Sequence, residues 1–231
     1  GRKITVAYIY DNPSIRSLAN VIATEKKGLM NSNDAIPRTI SNSEASVAIV
    51  GYSGRAPGAR DMDEFWKNLC NGIDSSVELS EEELRCAGVD DEKLSSKKFI
   101  NRSYTLPGVD EFDAKFWGLG DVEAQQMDPQ HRLFLQASWA ALEHAGIIPK
   151  SGEKNRTAVF ASSGTAGYLR HHILPSLDRQ GLAKHFAVDL GNRMDTLTTR
   201  ASYLMDLHGP SMALSSSCSS GLVAVTMGMQ A

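Results

Sequence analysis

Ser211-Met212-Ala213-Leu214-Ser215-Ser216-Ser217-Cys218-Ser219-Ser220-Gly221-Leu222-Val223-Ala224-Val225 is the stretch that decides how this chain is read. Gly209 and Pro210 lead into it, and Ser211 to Leu214 reads as a short strand. A final helix begins near Cys218 and runs on through Leu222, Val223, Val225 and Met227. A cysteine is thereby set at a strand-to-helix junction among small residues. Backbone N–H groups at a helix start carry partial positive charge, which favours an anion there. The thiolate is the form of cysteine that attacks an acyl carbon, and the same N–H groups could hold an oxyanion. A free cysteine is also often a plain buried core residue. Placement alone leaves both readings open.

Working outward, apolar runs alternate with helical patterns. Val47-Ala48-Ile49-Val50-Gly51 reads as a buried strand, with Gly54, Pro57 and Gly58 in the loop after it. Asp61 is placed as the N-cap of a helix to Leu69, with Phe65, Trp66 and Leu69 on its inner face. Residues 75–101 are polar and read as a surface excursion. Asp128-Pro129 opens a long helix to about Ala145, stopped by Gly146. Its residues Leu133, Phe134, Leu135, Trp139 and Leu142 are apolar nearly all round, so burial is expected. Thr157 to Ala161 is a second strand, followed by the small-residue loop Ser162-Ser163-Gly164, and a helix covers Thr196 to Leu204. This alternation predicts α/β architecture.

The 231 residues are 42% hydrophobic and 22% charged, which excludes wholesale disorder or a rod. A net charge of −3 gives no drive toward nucleic acid or anionic lipid. Asp11, Asn12 and Pro13 break any signal-peptide pattern at once, and no apolar run is long enough for a membrane span. Cys70, Cys86 and Cys218 are odd in number and far apart, so a reducing, cytoplasmic setting is expected. Cys70 at a helix end and Cys86 in a charged segment read as structural. No initiating Met is present, and Ala231 falls inside a helical pattern, so the sequence reads as part of something longer. Residues 28–46 crowd Asn, Ser, Asp and Pro and read as a linker.

Five separated motifs then occur in one order. They are Val47-Ala48-Ile49-Val50-Gly51-Tyr52-Ser53-Gly54-Arg55-Ala56-Pro57-Gly58-Ala59 with Asp63-Glu64-Phe65-Trp66-Lys67-Asn68-Leu69; Phe112-Asp113-Ala114-Lys115-Phe116-Trp117-Gly118; Met127-Asp128-Pro129-Gln130-His131-Arg132-Leu133-Phe134-Leu135; Trp139-Ala140-Ala141-Leu142-Glu143-His144-Ala145-Gly146; and Thr199-Arg200-Ala201-Ser202-Tyr203 leading through Gly209 to Cys218-Ser219-Ser220-Gly221-Leu222-Val223. Together they resemble the N-terminal half of a β-ketoacyl synthase (ketosynthase) of modular polyketide synthases. The resemblance implies a thiolase-like, layered α/β/α/β/α fold of which residues 47–231 are the N-terminal part, usually a homodimer. It implies that Cys218 accepts an acyl chain from the phosphopantetheine of a carrier domain. Decarboxylative Claisen condensation with a malonyl-type extender follows. It implies no cofactor and no metal bound by the chain itself.

Ile4 to Ala19 is similar to the last helices of an acyl or peptidyl carrier protein, which makes residues 1–27 a carrier remnant before the linker.

Two departures stand out. The family commonly has Asp-Thr-Ala before the cysteine, where this chain has Ser215-Ser216-Ser217. Its catalytic histidines and lysine lie C-terminal to the cysteine, and no histidine follows Cys218, so the chain alone is expected to be inactive in condensation. A ketosynthase that only passes acyl chains on, and a cysteine-dependent thioester hydrolase, remain alternatives. Among the six histidines, His131 is expected to be exposed or packed rather than catalytic, and His208 structural. His171 and His172 are adjacent on a helix and so do not face each other. Gly72-Ile73-Asp74-Ser75 has the shape of a carrier attachment site but lacks the bulky apolar residue that normally follows, so Ser75 is not read as modified. Ser162-Ser163-Gly164-Thr165-Ala166-Gly167 lacks the spacing and lysine of a phosphate loop.

Overall fold

Two short strands lie side by side and parallel, and helices carry the chain from one to the other. In chain order the computed structural model contains α1 (Met62–Cys70), β1 (Val77–Glu78), α2 (Glu81–Cys86), α3 (Asp91–Leu94), β2 (Arg102–Ser103), α4 (Asp121–Gln126), α5 (Pro129–His144), β3 (Val159–Ala161), α6 (Leu182–Asn192), α7 (Met194–Met205), β4 (Ser211–Ala213) and α8 (Ser220–Gln230). The structure describes residues 47–149, 155–177 and 182–231. The expected carrier-like helices at 1–27 and linker at 28–46 lie outside the described residues.

β3 pairs with β4 in the register Val159↔Ser211, Phe160↔Met212 and Ala161↔Ala213. The ladder is extended at both ends, where Val159 N donates to Pro210 O at 2.7 Å and Leu214 N to Ala161 O at 2.9 Å. A parallel pair cannot be joined by a hairpin and needs a long crossover, which α6 and α7 supply. Gly209 is required where β4 is entered. A Cβ there would stand 2.5 Å from Ala158 N and Thr157 C. β1 and β2 form a separate antiparallel pair, Val77↔Ser103 and Glu78↔Arg102, within the polar excursion.

α5 is defined at both ends by its own residues. Asp128 Oδ1 accepts from Gln130 N at 2.8 Å, with Pro129 in the first turn. At the far end Gly146 adopts φ +71°, and Ile147 N returns to Leu142 O at 2.8 Å. Both features are local sequence chemistry. The core gathers Trp117, Met127, Leu135, Val159, Ala201, Met205 and Leu207, with Trp139 and Phe134 packed against it. Trp139 meets Trp117 and Phe116 edge to face, at ring-centroid distances of 5.7 and 4.8 Å. α7 lies against both β3 and β4, and α8 against β3.

Four expectations change. Val47 to Val50 form no strand among the described residues, and Ile49 is 89% exposed. Apolar residues favour a strand only where a neighbouring ladder pairs with its N–H and C=O groups, and among the described residues none does. Gly51 instead runs against Ala141 of α5 and Ala145 just after it. α1 forms as expected, with Asp61 accepting from Glu64 N at 2.8 Å. Its Trp66 and Leu69 are nevertheless exposed, because no described element packs on that face. α5 is less enclosed than its composition suggests. His131, Arg132 and Leu135 are buried, and the other apolar residues are half-covered. The strand expected from Thr157 begins two residues later; Asn155 and Thr157 still accept from His208 N and Gly209 N, but Thr157 N donates to the Asn155 side chain instead of to the neighbouring strand.

Candidate active site

Ser215 to Ser220 join β4 to α8 through a tight turn, with Ser217 to Ser219 in one turn of 3-10 helix. Ser217 takes φ +53°, a left-handed conformation unusual for a residue with a Cβ. The turn is tied by the hydroxyl of Ser220, which is buried. It accepts from Ser216 N at 2.9 Å and donates to Ser217 O at 2.7 Å. Ser219 Oγ donates to Ser216 O at 2.8 Å. Cys218 sits in the middle of this turn and is exposed. No side chain caps the N–H groups at the start of α8.

Beside the turn lies an open groove of about 1210 Å³. One wall carries Ser215, Ser217, Ser220 and Gly221. The facing wall carries Ser162 to Thr165 from the loop after β3, together with Gln130 of α5. Phe134, Phe160 and Val225 give it an apolar lining. Cys218 is not itself among the lining residues, but Ser217 just before it and Ser220 two residues after it are. The Ser162 loop was legible only as a small-residue segment that is not a phosphate loop. Its place opposite the cysteine turn follows from the β3–β4 pairing, since both loops leave the same ends of adjacent parallel strands. Gln130 gave no sequence signal for this groove.

The other candidates fall elsewhere. Cys70 ends α1 and Cys86 ends α2, and both are exposed. Neither is packed into a core, so the structural role expected for them has no support in burial, and exposure does not distinguish the three thiols. His131 is packed, as one of the two readings anticipated, and only 2% exposed. Burial holds its pKa down to about 4, helped by the Arg200 cation; Asp128 and a hydrogen bond to the Arg193 backbone pull the other way. His208 Nε2 lies 3.1 Å from Asp206 Oδ1, just before β4. His171 and His172 lie on a π-helical turn, Leu169–Ile173, with the His172 ring stacked on Tyr168. No group of three or more metal-ligating side chains occurs among the described residues. No described helix is long and apolar enough to cross a membrane.

A fold of this kind is found in solved ketosynthases. Ketosynthase twelve from the bacillaene polyketide synthase in Bacillus amyloliquefaciens matches with a TM-score of 0.69 and 35% identity, over 79% of this chain and 31% of that one. These neighbours are thiolase-like, and the mixed helix and strand content here agrees with that fold. The family described as beta-ketoacyl synthase, N-terminal domain, matches residues 44–231, and the chain belongs to it.

Among relatives, a component of the phenolphthiocerol/phthiocerol polyketide synthase of Mycobacterium tuberculosis is 45% identical over 188 residues, 79% of this chain. Polyketide synthase ThaG of Burkholderia thailandensis is 38% identical over 182 residues, 78% of this chain. The chain spans 13% and 3% of the length of these two relatives.

Proposed function

We propose that this stretch of chain is the acyl-accepting part of a polyketide ketosynthase, an acyltransferase, with Cys218 as the nucleophile. The observation that carries the reading is the exposed Cys218 at the uncapped start of α8, beside an apolar-lined groove. In the reaction the Cys218 thiolate attacks the carbonyl of an acyl thioester carried on a phosphopantetheine arm. The arm leaves as its thiol, and the acyl group stays on Sγ. A malonyl-type extender on a second carrier then loses carbon dioxide, and its carbanion attacks the Cys218 thioester and releases the cysteine. Residues 219–231 contain no histidine, so support for decarboxylation is not assigned to this stretch.

The same reading makes residues 1–27 the end of a carrier domain and 28–46 a linker. It makes acyl carrier domains the partners, a second copy of the ketosynthase the dimer mate, and the cytoplasm the location. The test is incubation with octanoyl-pantetheine thioester and mapping of the adduct by mass spectrometry. Cys218 should carry the acyl group, and Cys218→Ala should lower acylation at least about a thousandfold. Because Cys70 and Cys86 are also exposed, a simple alkylating agent does not discriminate, and the acyl donor does. Acylation of Cys86 with Cys218 unmodified would overturn the assignment.

A further inference from the structure

The first turn of α5 meets the Ser162 loop in one wall of the groove. Asp128 and His131 are buried on either side of Gln130, 3% and 2% exposed, and Asp128 Oδ1 fixes the Gln130 backbone N–H. Asp128 N also donates to Gly191 O at 3.1 Å, so this turn is held at its backbone from two directions. From that fixed position the Gln130 side chain meets the Ser162 loop. Gly164 N donates to Gln130 Oε1 at 2.6 Å, between residues 34 apart in sequence. A backbone N–H can only donate, so the amide oxygen must face it. A Cβ on Gly164 would stand 3.2 Å from the same oxygen, so the loop approaches closely because residue 164 is glycine.

We infer that Gln130 is a positioning residue: its amide oxygen braces the loop Ser162–Thr165 as the groove wall opposite Ser217 and Ser220, and thereby sets the room for the acyl chain. This rests on the acyl-acceptor reading of Cys218. The brace acts on the wall and not on the cysteine turn, whose own hydrogen bonds come from Ser219 and Ser220. Loss of the brace therefore affects how an acyl chain is held, and leaves the intrinsic reactivity of Cys218 alone.

Amide hydrogen exchange and acylation measured on the full chain test this. In the wild type the Gly164 amide is protected. In Gln130→Met it exchanges roughly fivefold faster, about the factor one neutral hydrogen bond is worth. Gln130→Glu keeps an acceptor oxygen and keeps the protection. The KM for octanoyl-pantetheine rises by a similar factor in Gln130→Met. Its maximal acylation rate and the rate of Cys218 alkylation by iodoacetamide stay at wild-type values, a split that general loosening does not produce. If Gln130→Met does not fold, Gln130→Asn, too short to reach, takes its place. An unprotected Gly164 in the wild type, or a Gln130→Met variant with wild-type exchange and KM, overturns the brace. A protected Gly164 with no acyl group on Cys218 overturns the acyl-acceptor reading and the KM effect with it, while the exchange result still decides the brace.

Discussion

Two helix starts in this molecule are built in opposite ways. α5 begins with a side-chain cap from Asp128, a proline in its first turn and a buried, neutral His131. α8 begins with no side-chain cap, a left-handed Ser217 and an exposed Cys218. At α5 the N–H groups are satisfied within the protein, so the turn contributes to stability. At α8 the preceding 3-10 turn takes up the N–H groups of Ser219 and Ser220 through Ser216 O and Ser217 O, no side chain caps the start, and the turn is held from behind by the Ser220 hydroxyl. A helix start can serve the fold or a ligand, and which it serves depends on what satisfies its first N–H groups.

The largest expected effect concerns pH at the α5 start. Folded His131 stays neutral down to about 4, while an unfolded histidine takes up its proton near the ordinary value of 6.5. The unfolded state therefore binds more protons in that window. The stability is fully present above pH 6.5 and falls as pH drops through it toward 4, by up to about 3 kcal/mol. Urea unfolding at pH 7, 5.5 and 4 should show this loss, and His131→Gln should flatten it. An equal pH dependence in the variant would remove the contrast between the two starts. The exposed carboxylates whose pKa values are lowered by their hydrogen bonds to Arg60 and Arg193, Glu64 and Asp195, add a loss of their own at the acid end that is common to both proteins.

The next effect sharpens the comparison directly. Asp128→Ala removes the cap of α5 and should cost about 1–2 kcal/mol. Ser219→Ala, at the corresponding position of α8, removes no cap but only the exposed hydroxyl's bonds to Ser216, and should cost about 0.5 kcal/mol. Denaturant midpoints for the two variants check both values. Equal losses would mean that the Ser219 hydroxyl caps α8 in solution.

The smallest effect is at Ser217. Its φ of +53° is a conformation that glycine adopts without a Cβ clash. Ser217→Gly should raise stability by about 0.5 kcal/mol, read as a small increase in Tm. A loss instead would mean that the serine hydroxyl contributes more than the strain costs.

Much of this was legible before any coordinates. Asp128-Pro129 and Gly146 marked the ends of α5 because capping and stopping are local. Gly209-Pro210 marked the entry to β4, and the serine cluster put Cys218 at the junction where the structure has it. The exposed faces were not legible. Val47 to Val50, Trp66 and Leu69 are apolar, and composition predicts burial without knowing whether a partner surface is there. His131 lay open between exposure and packing until the neighbouring helices were in place.

The sequence alone determined most of the order of elements, the turn residues and the place of Cys218 at the strand-to-helix junction, because these depend on neighbours a few positions away. Only the tertiary structure decided that Ser162 to Thr165 face the cysteine turn, that Gln130 reaches Gly164, and that His131 is buried beside Arg200. Those facts depend on two parallel strands meeting in one register across some fifty residues of chain. Long-range pairing of that kind is set by the summed packing of many side chains, and no local pattern records it.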